Sequence, residues 1–259
     1  MNIFPAKELS ASWWRRLWAY PTHTIIFGKM PSTDESMIKL KDCEPFSSGG
    51  NRLCFRHPEH PDRCLKVIRP DRTPEIRRAE KKFPANLRPL SMYDENLIEV
   101  TMLDYLHGAY PQQIFQHLPR SFGLVETDLG TAHSTELICD ANGWISQTLE
   151  QYIWENGLDQ TVGQAIQSFK ENWAIKPPHT RDLIPHNFVV RLEKQQAHLI
   201  LIDGFGKKPW INFPFDDRVA KLRLKRRLQD FDYRIQLITE RKAANNGPMH
   251  RINNVRREG

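Results

Sequence analysis

At 259 residues, with 39% hydrophobic and 26% charged residues, the chain has the composition of a globular protein with ample core, not of a disordered one. No apolar run approaches the roughly 20 residues of a membrane helix, and the N-terminus lacks a signal peptide's apolar segment and small-residue cleavage site. The net charge of +6 is uneven: from Lys207 onward 14 Lys and Arg stand against 6 Asp and Glu, and the rest is slightly acidic. That basic segment is either a solvated helix face or a surface turned to phosphate-bearing material. Cys43, Cys54, Cys64 and Cys139 form no Cys-x-x-Cys pair and read as reduced thiols of a cytoplasmic protein.

Residues 1–36 form an N-terminal extension ending in the linker-like Pro31–Ser36. Trp13, Trp14, Leu17 and Trp18 surround Arg15 and Arg16 after Ser10, a capping residue. The segment reads as a helix packed on the domain, or as an amphipathic helix touching a membrane surface through Trp13, Trp14 and Trp18. Residues 37–69 read as an antiparallel meander: a strand Met37–Leu40, a turn containing Gly49 and Gly50, and strands Leu53–Arg56 and Arg63–Ile68. A Gly-Gly turn lets backbone amides approach a phosphate, although many hairpins turn on glycine. Lys66 stands mid-strand between apolar neighbours, where a lysine commonly faces solvent.

Two helices are expected next, around Glu75–Phe83 and over Asn96–His107. The second sets Glu99, Leu103 and Leu106 on one face. Glu99 is either the partner of Lys66 or part of a capping box with Asn96, and Glu80 is the rival partner. No further helix is expected before the hairpin of strands Leu124–Thr127 and Thr135–Ile138, which turns at Asp128–Gly130. Helices at Thr148–Trp154 and Val162–Trp173 follow, the latter with Val162, Ile166, Phe169 and Trp173 at core spacing. Asp216-Asp217 starts a basic amphipathic helix packed on the lobe, along which Leu224, Leu228, Phe231, Ile235 and Ile238 step by four and three. From Ala243 the chain reads as a basic, mobile tail.

The chemistry concentrates between residues 179 and 206. Two apolar runs, Phe188–Val190 and Leu199–Ile202, flank a polar turn, which predicts a β-hairpin. Arg181-Asp182 precedes the first run, Asn187 lies five positions after Asp182, and Asp203-Gly-Phe-Gly206 ends the second. A base and two metal-binding side chains thus sit at the ends of one hairpin, in the layout of a protein kinase catalytic set.

In order, Gly49-Gly50, Lys66, Glu99, Arg181-Asp182-x4-Asn187 and Asp203-Gly-Phe-Gly206 resemble the YrbL family, or PhoP regulatory network proteins, a bacterial branch of the protein kinase-like fold. The likeness covers roughly residues 38–240, including Cys64–Ile68, Leu118–Gly130 and Thr148–Tyr152. It also extends to small bacterial kinases that phosphorylate lipopolysaccharide sugars.

The resemblance implies an α+β, two-lobed fold with a small antiparallel-sheet N-lobe at 37–139, a compact helical C-lobe at 140–242 and a tail at 243–259. It implies ATP and Mg²⁺ as cofactors. Lys66 would hold the α- and β-phosphates, a role its distance from the glycine turn fits, and Glu99 would brace it. The Gly49-Gly50 loop would cover the phosphates, and the hinge Glu136–Cys139 would line the adenine. Asp182 would deprotonate the acceptor, and Asn187 and Asp203 would bind the metal.

The pattern departs from a typical protein kinase. Thr180 replaces the His before Arg-Asp, Ile184 replaces the Lys two after the Asp, and the metal motif carries an extra residue before its last glycine. His186, Lys207 or Lys208 would have to neutralise the transferred phosphate instead. Little chain follows Asp203, so a small-molecule, sugar or lipid-linked hydroxyl acceptor is expected in place of a protein. The same departures leave room for a kinase-shaped regulatory or binding protein. No DNA- or RNA-reading motif accompanies the basic C-terminus, so nucleic acid is not the expected partner. The expectation is one of convergence: Lys66, Asp182, Asn187 and Asp203 must meet in a cleft.

Overall fold

The computed structural model describes residues 37–178, 180–206 and 216–248, with side chains of the last stretch from residue 219. The expected Trp-rich helix, the linker at 31–36, Lys207, Lys208 and the tail beyond 248 lie outside the described residues. The architecture is α+β, with two antiparallel sheets and several helices, in a compact unit starting at Ile38.

The first sheet has the order β1-β2-β3-β5-β4, from β1 (Ser47–Ser48), β2 (Arg52–Arg56), β3 (Arg63–Ile68), β4 (Ser121–Thr127) and β5 (Gly130–Glu136). Period-2 alternation on β3 sends Leu65 and Val67 into an apolar cluster with Leu40, Phe55 and Ala132. Cys64 and Lys66 point to the opposite face. Lys66 lies opposite Cys54 on β2 and His133 on β5, so all three flank the same part of that face.

Several expected elements are corrected. Met37–Leu40 is no strand: Ile38 makes one isolated bridge to Thr127, and the Leu40 amide donates to Asp128 Oδ1 at 2.7 Å. The strand expected at Thr135–Ile138 runs instead over Gly130–Glu136. Its buried stretch holds His133, Ser134 and Thr135, polar residues that an apolar-run reading passes over. The helix expected at Glu75–Phe83 is only α1 (Pro74–Ala79), and single 3₁₀ turns follow it around Pro84 and Pro89.

Helix α2 (Glu95–Ala109) is capped by Asp94, whose Oδ1 accepts from the Leu97 amide at 3.0 Å, so Asn96 is not the cap. Asn96 Nδ2 instead donates to the Lys66 and Thr131 carbonyls at 2.9 and 3.2 Å, which fastens the helix to the sheet. A 3₁₀ helix at Gln112–His117, also unexpected, seats Ile114 and His117 in the core.

The second sheet, of order β6-β7-β8, joins β6 (Gln147–Thr148), β7 (Phe188–Leu192) and β8 (Ala197–Leu201). It packs with α3 (Leu149–Asn156), α4 (Gln160–Ile175) and α5 (Asp216–Ala243) around the largest apolar cluster. Thr148 and Asp159 cap α3 and α4. Phe169 at the centre is fully buried and meets Phe188, Trp173 and Phe231 edge-on or tilted. Burial of such a ring contributes ~2–3 kcal/mol. On α5, Leu224, Phe231, Ile235 and Ile238 face this cluster at helical spacing and are buried. Met102, Leu103 and Leu106 of α2 reach the same cluster, so α2 spans from the first sheet to this core.

Candidate functional site

A backbone knot holds the Arg-Asp and Asp-Gly segments together. The Arg181 and Asp182 amides both donate to the Gly204 carbonyl, at 2.8 and 3.2 Å, and Thr180 bridges to Phe205. Gly204 has φ +80°, and a Cβ there would lie 2.4 Å from the Asp182 carbonyl oxygen and 2.6 Å from Asn187 Nδ2. Only glycine fits.

Pro185–Asn187 forms a 3₁₀ turn, and Asn187 Nδ2 donates to the Asp182 carbonyl at 3.0 Å. One of the two amide hydrogens is thereby used, and Oδ1 is the acceptor atom of the side chain. The Asp203 carboxylate receives the Gly204 amide on Oδ1 at 2.6 Å. Asp182 and Asp203 are both about half-exposed, at 47% and 46% of their side chains.

Lys66 is buried. Its Nζ donates to Glu99 Oε1 at 2.5 Å and to the Ile202 carbonyl at 2.7 Å, next to Asp203. Glu80 is elsewhere, in an exposed pair with Arg72 at 3.2 Å. The second oxygen of Glu99 receives Arg52 Nη1 at 2.5 Å, and Arg52 Nη2 reaches Asp203 Oδ1 at 3.0 Å.

Burial alone would push the Glu99 carboxyl up, but Arg52 and Lys66 outweigh it and hold Glu99 well below the usual range. Although half-exposed, the Asp203 carboxylate gives up hydration among its neighbours, which works against its charge; Arg52, helped by Lys66, brings it below its ordinary value despite Glu99. His133, fully buried, lies with Nδ1 3.5 Å from Glu99 and Nε2 2.9 Å from Ser121 Oγ.

The sequence pattern assigns Arg52 no role, since the strand it predicts begins at Leu53. Its importance depends on the β2–β3 register, which sets Cys54 opposite Lys66 and so brings Arg52 to the Lys66 face. A sequence shows no such pairing.

These groups open on a cleft of about 600 Å³ whose lining includes Gly49, Gly50, Arg52, Lys66, Asn187 and Asp203. Lys66, Asn187 and Asp203 therefore converge. Asp182 stands at the edge: its neighbour Arg181 lines the cleft, and Arg181 Nε donates to Asp182 Oδ2 at 2.8 Å. Neither Gly49 nor Gly50 has positive φ. A Cβ on Gly50 would meet nothing within 4 Å, and one on Gly49 only the Arg52 carbonyl at 3.6 Å. The protein's own packing leaves both positions roomy. The Gly49 amide is already used in the turn, donating to the Arg52 carbonyl at 2.9 Å.

An apolar cavity adjoins this cleft and shares Lys66, Thr148 and Ile202 with it. Phe46, Leu137, Ile145 and Val189 form apolar walls, and Glu136 is part of the lining. The Glu136 carboxylate pairs with Arg120 and Arg191 at 3.5 and 3.3 Å. Cys139 is not in this lining. It packs against Cys64, Leu137 and Ile145 and borders a separate, open recess beside Asp140 and Arg191.

Of the stand-ins for the missing lysine, His186 lines the cleft with Nδ1 3.5 Å from Glu150 Oε2. Arg227 of α5, which the sequence does not single out, donates from Nη1 to Thr180 Oγ1 at 3.2 Å. Burial lowers its pKa, against an opposing pull from Asp182.

Among the described residues no group of three or more His, Cys, Asp or Glu is arranged for a metal ion. The Asp203 carboxylate and the Asn187 amide oxygen are hard oxygen donors. One carboxylate and one amide suit Mg²⁺, which keeps waters and takes its other ligands from phosphates. The four cysteines are free thiols. Among the described residues no helix is long and apolar enough to cross a membrane.

A family model described as PhoP regulatory network protein YrbL matches residues 38–236. Two relatives, from Escherichia coli (strain K12) and Shigella flexneri, each bear the description "Uncharacterized protein YrbL". Each is 25% identical over 198 residues, which cover 74% of this chain and 84% of the relative.

Proposed function

The chain belongs to the YrbL family of PhoP regulatory network proteins, and on that footing we propose that it is a Mg²⁺- and ATP-dependent phosphotransferase with a two-lobed protein kinase-like fold, acting on a hydroxyl acceptor such as an envelope sugar or glycolipid. The observation that carries this reading is the seating of Lys66. Its ammonium is buried against Glu99 and the Ile202 carbonyl, one residue from Asp203, in a cleft whose lining includes Gly49 and Gly50. A buried lysine costs stability unless paired, so the pairing supports a charge kept for a ligand.

In this reading Lys66 and Arg52 face the phosphates. Gly49 and Gly50 leave them room, and the apolar cavity takes the base. Asp203 and Asn187 Oδ1 would hold the metal, which would supply positive charge to offset that on the transferred group. Asp182 accepts the acceptor's proton. Its half-exposed position suits a group that must meet a second substrate arriving from solvent.

A second reading keeps nucleotide binding without turnover, as in a regulatory protein. The ion pair of Asp203 with Arg52, and Ile184 in the place of a lysine, favour it.

Thermal-shift titration with Mg-ATP tests both readings. Wild type is expected to gain stability by mass action, ~2.7 kcal/mol at a hundredfold excess over Kd, and Asp203→Ala to lose that gain. Asp182→Asn is expected to keep the gain while abolishing ATP turnover. No stabilisation of wild type at millimolar Mg-ATP would overturn the nucleotide reading. Binding without acceptor-dependent turnover in any envelope fraction would select the second.

A further inference from the structure

Arg52 is the least expected member of the site, and its placement has a consequence for metal binding. Its side chain is only 6% exposed, and its guanidinium reaches three carboxylates. Nη1 donates to Glu99 Oε2 at 2.5 Å and to Asn96 Oδ1 at 3.4 Å, Nε lies 3.9 Å from Glu95 Oε2, and Nη2 lies 3.0 Å from Asp203 Oδ1. Glu95 has another cation, Arg77, at 3.0 Å. Helix α2 thus grips Arg52 through Glu99 and Glu95, and Arg52 in turn holds Asp203.

A fixed positive charge therefore touches the carboxylate assigned to the metal. Arginine cannot deprotonate to make way. A divalent cation approaching Asp203 alone meets a carboxylate already neutralised and a guanidinium at contact distance, in a partly buried setting where charges are poorly screened. A triphosphate brings enough negative charge for both cations. Arg52 also lines the cleft beside Lys66, so its charge bears on a nucleotide placed there.

Resting on the nucleotide reading above, we propose that Arg52 is a built-in counter-ion that bars free divalent metal from Asp203 and admits it only together with the phosphates of a nucleoside triphosphate. Metal alone would bind weakly, while the metal–nucleotide complex would bind well. The residue would act on the metal through Asp203, as a positioning and selecting group.

The test is uptake of Mn²⁺ by the full chain, read from the free-ion electron paramagnetic resonance signal, with and without the non-hydrolysable analogue AMP-PNP. Four proteins are compared: wild type, Arg52→Gln, Arg52→Lys and Arg52→Gln with Asp203→Asn. Circular dichroism confirms that each folds. Arg52→Lys is the second probe if the glutamine variant does not fold, because it keeps a cation for Glu99 but lacks the separate Nη2 that contacts Asp203.

Without nucleotide, Arg52→Gln is expected to bind Mn²⁺ about tenfold or more tightly than wild type, by removal of a contact repulsion. Arg52→Lys should gain less, and the double variant should lose the gain. AMP-PNP should tighten Mn²⁺ binding in wild type more than in Arg52→Gln. Affinities within twofold across wild type and both single variants would overturn the proposal, as would a gain that survives Asp203→Asn. If AMP-PNP stabilises wild type while Arg52→Gln shows no gain, Arg52 loses this role and the nucleotide reading stands. If Arg52→Gln gains Mn²⁺ and AMP-PNP affects neither protein, the nucleotide reading falls, and the phosphate-dependent half of the proposal with it.

Discussion

Replacing Gly204 by alanine perturbs the site at the point where its two halves are tied. At φ +80° an L side chain is strained by ~1–2 kcal/mol. The added methyl would also sit 2.4 Å from the Asp182 carbonyl oxygen, a backbone atom that cannot swing aside, and 2.6 Å from Asn187 Nδ2. Relief requires Asp182 and Gly204 to separate. That weakens the Asn187–Asp182 bond and the two amide bonds to the Gly204 carbonyl. At ~1 kcal/mol for each hydrogen bond lost, the total is ~3–5 kcal/mol, a large share of the ~5–15 kcal/mol that holds a domain together.

Urea unfolding followed by tryptophan fluorescence measures this loss with no ligand present. Gly50→Ala is the matched control. A Cβ there meets nothing within 4 Å and φ is not positive, so stability should stay within ~0.5 kcal/mol of wild type. Mg-ATP affinity should nevertheless fall, because the methyl projects where the nucleotide is proposed to lie. A Gly204→Ala protein within 1 kcal/mol of wild type would refute the reasoning, since no adjustment of a flexible side chain can remove a backbone clash.

Two further outcomes follow from buried charge. Glu99→Gln strips Lys66 and Arg52 of their shared partner and should cost ~3–5 kcal/mol in urea, whereas Glu80→Gln, on an exposed pair, should cost under ~1; comparable losses would reverse the assignment of Lys66's partner. Acid should weaken the fold through His117, whose Nδ1 lies 2.7 Å from the Leu199 carbonyl while Nε2 accepts from Asn172 Nδ2 at 3.1 Å, leaving no place for a second proton. Burial lowers the pKa of both His117 and His133, so the unfolded chain takes up protons first. Their contribution is complete above about pH 6.5 and is lost as pH falls below it, by at most ~1.4 kcal/mol per pH unit for each. Unfolding midpoints at pH 7.5 and 5.5 check this, and His117→Gln should flatten the difference.

Local pattern alone determined a good deal of this protein. The strand Arg63–Ile68 was legible because Cys64, Leu65, Val67 and Ile68, interrupted only by Lys66, lie between turn formers. The core face of Gln160–Ile175 was legible because Val162, Ile166, Phe169 and Trp173 repeat at helical spacing. Spacing on one helix also put Glu99 in line with Leu103 and Leu106, and all three are buried. The order of Lys66, Asp182, Asn187 and Asp203 carried the family resemblance.

What the tertiary structure decided was every relation between distant segments. The buried part of the strand at Gly130–Glu136 holds the polar residues His133, Ser134 and Thr135, so hydrophobicity does not mark it. Arg52 joins the site only because β2 and β3 pair in one register and α2 brings Glu99 to it. Gly204 is obligatory only because the Asp182 carbonyl, 22 positions earlier, closes to within a methyl's reach. Periodicity is a property of neighbours along the chain and is written in the residues themselves. Register, charge networks and close backbone approach arise when segments meet, and nothing in either segment alone records the other.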